Sequence, residues 1–332
     1  MARILVSEFL GEPFLGRLRE HHNVAYDADL YGKRARLLAA VTGAQAILIR
    51  NRTRIDQEFI SAARELVVVG RLGVGLDNID MDACASAGIL VKPAIGANAV
   101  SVAEYVFGAM LTLLRPVFGM TASMVAGQWP RQGHAFGTEV SGKTLGLLGF
   151  GAIARHIARR GAAFDMEVIA HDPFVAATDP MWAQAERVSF DDLVQRADVL
   201  SIHTPLTDDT RNLIGAQALG QMKPTAVLIN TSRGGVVDEA ALASALRSGT
   251  IAGAALDVFA SEPLGPEPAS RFEGLDGLVL TPHLAGNTRE SVDRVAAVTV
   301  ATVLEVLATN PSRSGPSRLG AGPGDQDSAP NR

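Results

Sequence analysis

An α/β fold made of two doubly wound parallel-sheet domains is what this 332-residue sequence predicts, and three observations carry the prediction. Short β-branched runs alternate with longer helical patterns through most of the chain, the signature of parallel strands covered by helices on both faces. The alternation falls into two blocks separated by one long helical stretch. The second block opens on a strand that runs straight into a glycine turn and then a helix. A chain of this length suits two domains, each with a core large enough to fold.

In the first block the strands are expected at residues 4–6, 46–49, 66–69 and 89–91, with helices such as 33–41 and 81–87 between them. A helical stretch over 98–126 then leads through Gly127-Gln128-Trp129-Pro130 into the second block. There the strands are expected at 145–148, 167–170, 199–202, 226–229, 254–256 and 278–280, enough for a full dinucleotide fold. Beyond them, the spacing of Val292, Val295, Ala296, Thr299, Val303 and Val306 predicts one amphipathic helix returning to the first block. The expected plan is a Rossmann domain at 98–282 inserted in a discontinuous, flavodoxin-like substrate domain at 1–97 and 283–308. Residues 309–332 form a disordered tail in this reading, since half of them are Pro, Gly or Ser.

Several classes of function are excluded at this level. The net charge of −5 is spread along the chain, so no basic stripe is offered to nucleic acid. The longest apolar run, 100–114, contains Glu104 and stops at Arg115-Pro116, so no membrane span is expected. Met1-Ala2-Arg3 passes directly into a strand, which leaves no room for a secretory signal and predicts a cytoplasmic location. The one cysteine, Cys84, permits no internal disulfide and no metal-ligand cluster; it reads as a packing residue, and no metal is expected.

The glycine turn is Gly149-Phe150-Gly151-Ala152-Ile153-Ala154. Gly149 makes the tight turn, Gly151 admits a pyrophosphate to the backbone, and Ala154 allows the helix to sit close to the strand, with the helix N-terminus facing the phosphates. Alone the pattern is weak, but Asp172 follows 21 residues beyond Gly151, at the end of the next strand, where a carboxylate accepts from an adenosine ribose. No Arg or Lys stands in Asp172-Pro173-Phe174, so NAD is favoured over NADP.

Oxidising a 2-hydroxy acid requires a base for the hydroxyl proton, a cation for the carboxylate and a partner for the base. His283, Arg233 and Glu262 supply one of each, and all three follow expected strands, at the carboxyl ends where open α/β sheets bind ligands. Histidine titrates near neutrality, a neighbouring carboxylate orients it, and a guanidinium grips a carboxylate with two parallel bonds. Singly each residue has a structural reading; together they point to chemistry.

These residues and their surroundings resemble the D-isomer-specific 2-hydroxyacid dehydrogenases over about residues 1–308. The resemblance is carried by Gly73 to Asp80, the Gly149 to Ala154 turn, His203-Thr204-Pro205-Leu206, Asn230 to Glu239, Asp257 to Pro263 and Pro282-His283. It implies that Arg233, Glu262 and His283 are the catalytic trio. It also implies that Ala152, Ile153, Asp172, Thr204, Pro205, Thr231, Ser232, Arg233, Asp257, His283 and Gly286 line the NAD site, beside Gly149 and Gly151. Substrate would meet Arg50, Leu72, Gly73, Val74, Arg233 and His283, and the chain would form a homodimer. Ala154 stands where the family often has glycine. The absence of a regulatory extension after residue 308 carries the expectation that amino-acid feedback is lacking.

Arg50, Arg52 and Arg54 alternate after an expected strand, and alternation would turn Arg50 and Arg52 to one side. With Arg71 they would bind a second anion on carbon 3, a phosphate or sulfonate, and the segments at 7–9 and 69–75 look most like phosphoglycerate and sulfolactate dehydrogenases. A glyoxylate or hydroxypyruvate reductase is the nearest alternative, and an NADH-sensing, corepressor-like binding protein is an alternative of another class. Lys223 as a catalytic lysine is set aside, because it precedes a strand at the end away from the crevice.

Overall fold

The computed structural model describes residues 1–131 and 136–309, so the tail expected at 309–332 lies outside the described residues except for Thr309. Contacts divide the chain into two compact units, one of Met1–Ala94 with the chain from Val295 onward, the other of Ile95–Arg294.

In the first unit the strands are β1 (Arg3–Val6), β2 (Asn23–Tyr26), β3 (Ala46–Ile49), β4 (Val68–Arg71) and β5 (Leu90–Pro93). They form one parallel sheet in the order β2-β1-β3-β4-β5, the flavodoxin-like order. β3 is buried at every position, as a strand covered on both faces must be. β2 was not expected: it is a sheet edge with exposed or half-buried Asn-Val-Ala-Tyr, and so lacks the apolar run that marks its neighbours. Leu37, Val41, Phe59 and Cys84 belong to one core of this unit, where Cys84 is a buried free thiol. The last helix, Arg289–Thr309, meets the sheet at Gly70, where a Cβ would come within 2.6 Å of Val303 Cγ2 and 2.9 Å of Thr299 Cγ2.

The second unit holds β6 (Thr144–Leu148), β7 (Glu167–His171), β8 (Glu186–Arg187), β9 (Val199–Ile202), β10 (Val227–Asn230), β11 (Gly253–Leu256) and β12 (Leu278–Leu280). All pair in parallel, in the order β12-β11-β10-β9-β6-β7-β8. The six expected strands are there, extended by the two-residue edge β8, too short to read from sequence. The order reverses between β6 and β9, and that switch point opens the crevice in which such sheets take their ligands.

Two expectations are corrected. The helix expected over 98–126 ends at Leu114 and is followed by a 3-10 turn, Pro116–Gly119, and a short helix, Thr121–Val125. Pro116 has no N–H to continue the ladder, and its ring excludes a helical carbonyl four residues before it. The return to the first unit, expected at residue 283, falls at Val295 instead, because the segment after β12 is bonded within the second unit: Leu284 and Ala285 donate to Asp257, and Arg294 donates to the Ala97 carbonyl. No helix among the described residues is long and apolar enough to cross a membrane.

A methyl at residue 70 would have to displace Val303 and Thr299, so Gly70→Ala is expected to cost about 1–3 kcal/mol of unfolding free energy, read from the urea midpoint. An unchanged midpoint would show that the helix yields freely.

Candidate active site

At the carboxyl end of β6 the chain turns at Gly149, whose φ of 88° lies in the left-handed region. A Cβ there would come within 2.9 Å of the His203 carbonyl group, so the turn is pressed against the exit of β9 and only glycine suits it. Gly151 is different: a Cβ on it would meet nothing within 4 Å, leaving open space in front of the helix Ala152–Ala163. Ala154, fully buried, packs beneath. Asp172 follows β7; its Oδ2 accepts from Phe150 N at 2.8 Å and its Oδ1 from Phe174 N at 2.9 Å. The carboxylate is thereby fixed to the glycine turn, and each oxygen keeps a lone pair for a ribose hydroxyl.

The residues present suit a dinucleotide. Thr204 and Thr231, at the exits of β9 and β10, have buried hydroxyl oxygens without a hydrogen-bond partner, as does the side-chain oxygen of Asn98. Buried polar atoms are rarely left unpaired, and these three ask for a ligand. Asn98 escaped the sequence reading because an asparagine before a helix looks like a cap; its side chain caps nothing here. It lies beside Gly286, whose Cβ would meet Asn98 Nδ2 at 2.9 Å.

Beyond β10, Asn230 shapes the turn that carries Arg233. Its Oδ1 accepts from the backbone and hydroxyl of Ser232 at 3.0 and 2.9 Å, and its Nδ2 donates to the Arg233 carbonyl at 2.9 Å. Arg233 Nη1 donates to Ser232 O at 2.6 Å. The next residue leaves no choice of side chain: a Cβ on Gly234 would sit 1.9 Å from the Phe259 carbonyl, so the turns after β10 and β11 touch backbone to backbone. Glu262 lies in the second of these turns and accepts from Phe259 N through Oε1 at 3.1 Å. Its other oxygen is 2.7 Å from Nδ1 of His283.

His283 sits in a left-handed backbone conformation, with φ of 57°, rare for a residue that is not glycine. What holds it there is Asp257, buried to 1% exposure. Asp257 Oδ1 accepts from Leu284 N at 2.8 Å and from the Thr281 hydroxyl at 2.6 Å, while Oδ2 accepts from Ala285 N at 2.8 Å. The Tyr105 hydroxyl completes the chain at 2.6 Å from Thr281 Oγ1. Both Asp257 oxygens therefore grip the loop that presents His283, a role that its place in the sequence did not reveal.

A second histidine at these strand exits, His203, is chemically unlike His283. Burial pushes its imidazole down to about 3, and Nε2 lies 2.8 Å from Ser201 Oγ, so it is a neutral structural group. His283 is 47% exposed and paired with a carboxylate, and a reactant can reach it.

Of the residues expected to meet substrate, Arg50, Leu72, Gly73 and Val74 lie in the first unit, Arg233 and His283 in the second. Arg71 curls over its own loop, donating from Nε to Gly75 O at 2.8 Å and from Nη1 to Leu72 O at 2.7 Å, so it shapes the Leu72-Gly73-Val74 segment. Residues 50–54 form a bend after β3, not a strand continuation, and the expected strand alternation does not apply there. Arg52 stacks over Tyr31, 5.0 Å from the ring centroid, and donates to its hydroxyl at 2.5 Å. Arg50 stands apart from that stack. Lys223 is paired with Asp198 at 3.0 Å, before β10, as a structural lysine would be.

A dinucleotide fold with a histidine and carboxylate couple at its strand exits defines a nicotinamide-dependent oxidoreductase. Residues 107–285 match the family model for the D-isomer specific 2-hydroxyacid dehydrogenase, NAD binding domain. The chain is 48% identical over 308 residues to an (S)-sulfolactate dehydrogenase of Chromohalobacter salexigens, covering 92% of this chain and 99% of that one. It is 44% identical over 275 residues to a D-3-phosphoglycerate dehydrogenase of Mycobacterium leprae, covering 83% of this chain but only 51% of the relative, so it spans about half the length of that protein. Among solved structures, a glyoxylate reductase from Paecilomyes thermophila superposes with a TM-score of 0.83 at 29% identity, covering 92% of this chain and 95% of that one. The chain belongs to the D-isomer specific 2-hydroxyacid dehydrogenase family. It is an NAD-dependent oxidoreductase of small 2-hydroxy or 2-oxo acids.

Replacing Asp257 by Asn keeps the shape but turns one acceptor into a donor facing backbone N–H groups. The variant is expected to lose about 1–3 kcal/mol in denaturant unfolding and to lose turnover with it. Wild-type stability would mean that the loop holds itself.

Proposed function

We propose that the protein oxidises a 2-hydroxy acid bearing a second anion on carbon 3, with 3-sulfolactate the first candidate and 3-phosphoglycerate the second. The observation that carries the chemistry is the 2.7 Å couple between His283 and Glu262 on the gripped loop. Nε2 of His283 takes the hydroxyl proton, and Glu262 fixes the ring and offsets the charge it gains. Arg233 holds the substrate carboxylate and so fixes the 2-carbon. When bound, NAD supplies the hydride acceptor; Thr204, Thr231, Asp172 and the Gly151 opening are the groups of this chain that hold it. Asp172 favours NAD, since a carboxylate repels a 2′-phosphate.

The order of the two candidates follows from coverage: the sulfolactate dehydrogenase is matched over almost its whole length, the phosphoglycerate dehydrogenases over about half. Arg50, on its turn beside the first sheet, is the cation for the second anion in this reading, and a glyoxylate reductase has no use for one. A cytoplasmic location accords with a single buried free cysteine. A homodimer accords with the apolar surface after the broken helix, where Phe118 is 66% and Trp129 74% exposed beside Val117 and Val125.

Reduced nicotinamide is followed by absorbance with NAD and each enantiomer of 3-sulfolactate, 3-phosphoglycerate, glycerate and lactate. A 3-anionic acid is expected to lead in kcat/KM. His283→Gln is expected to lower kcat about 100- to 10,000-fold with NADH binding retained. Arg50→Ala should raise KM for the 3-anionic acid about tenfold or more, and for lactate far less. Equal effects on both acids would remove the second anion from the proposal, and tight NADH binding without turnover on any acid would favour a sensor. Sedimentation should give a dimer that Phe118→Asp with Trp129→Asp converts to monomer; a wild-type monomer would refute that part.

A further inference from the structure

Glu8 is a carboxylate where a folding core needs none. It follows β1 directly, is 3% exposed, and points at the turn that follows the neighbouring strand β3. Its Oε1 accepts from Arg50 N at 2.8 Å and Thr53 N at 2.9 Å, and its Oε2 from Arg52 N at 3.3 Å. From the other side, Asn78 Nδ2 donates to the carbonyls of Arg50 at 3.0 Å and Thr53 at 2.6 Å. The buried hydroxyls of Ser7 and Thr53 share a further bond of 2.8 Å. Two side chains, Glu8 and Asn78, thus bond three backbone N–H groups and two carbonyls of a four-residue turn.

Burying a carboxylate is costly unless it is fully bonded, and apolar residues of the same volume would serve stability as well. What the arrangement adds is a fixed direction for the side chains of the turn. The turn stands at the carboxyl edge between β1 and β3, where the strand order of this sheet reverses and ligands enter. Tyr31 meanwhile holds the head of Arg52.

We propose that Glu8, with Asn78, is a positioning residue that fixes the Arg50–Thr53 turn so that Arg50, and not Arg52, is presented to the second anion of the substrate. The proposal rests on the reading of a 3-anionic substrate given above. Glu8 itself touches no reactant; it acts through the backbone of Arg50.

Steady-state kinetics of Glu8→Gln and Glu8→Asp, with 3-sulfolactate, 3-phosphoglycerate and lactate, are combined with amide hydrogen exchange across residues 50–53. Glu8→Gln should raise KM for the 3-anionic acid about tenfold, change KM for lactate by less than about twofold, and speed exchange at Arg50, Arg52 and Thr53 about tenfold or more. Glu8→Asp should restore part of both. Should Glu8→Gln not fold, Asn78→Ala removes the opposing pair of bonds and is expected to show the same selective rise. Wild-type KM with wild-type exchange overturns the proposal, as does an Arg52→Ala variant impaired as severely as Arg50→Ala. A wild-type enzyme indifferent to the second anion overturns the substrate reading itself, whereas faster exchange with selectivity intact overturns only the role given to Glu8.

Discussion

The carboxylate of Asp257 lies at the end of β11 with every strong contact turned toward one loop, and the placement of His283 beside Glu262 depends on that grip. Parallel strands end in backbone N–H groups that have no partner in the sheet, and the segments leaving them must be bonded or left mobile. Asp257 bonds Leu284 and Ala285 on the far side of His283 and Thr281 on the near side, so a residue in a left-handed conformation becomes a fixed point. A mobile His283 would meet Glu262 only part of the time.

The same device recurs. Glu239, 7% exposed, accepts from Ala260 N at 2.6 Å and is met by Arg271 at 3.3 Å, and so steadies the turn that carries Glu262. Glu8 holds the turn of Arg50. In each case a buried acid binds backbone N–H groups in a setting of low dielectric, where such charge-assisted bonds are strong and a missing one is expensive. The more exposed groups are supported by buried ones. Close backbone approach does the rest, as at Gly234, where no side chain could stand between the turns of Arg233 and Glu262.

Much of the fold is legible in the chain because parallel strands buried on both faces must be apolar throughout. Ala46–Ile49 and Val199–Ile202, buried at every position, stand where the residue runs place them. β2 and β8 are edge strands, and an edge needs no such run. The break at Pro116 is written in the sequence too, in a residue that cannot continue the helical ladder. Of the site, the glycine turn and the three residues after β10, β11 and β12 could be picked out because their chemistry is unusual for their positions. Asn98, Tyr105 and Glu239 could not: each resembles an ordinary capping or helical residue until the chain is folded.

The sequence by itself determined the two parallel sheets, the glycine turn after β6 and the placement of Arg233, Glu262 and His283 after strands, because periodicity, glycine placement and side-chain chemistry are local properties. Only the tertiary structure decided which groups each carboxylate is bonded to. Asp257 and Glu262 lie five positions apart, yet the first is consumed by a hydroxyl and two backbone N–H donors 24 to 28 residues away and the second meets His283. Likewise Arg50 and Arg52 are equivalent in the sequence, and it is the ring of Tyr31, brought from 21 positions away, that separates them. A side chain's role follows from which partners reach it first, and those partners are assembled by packing between distant segments.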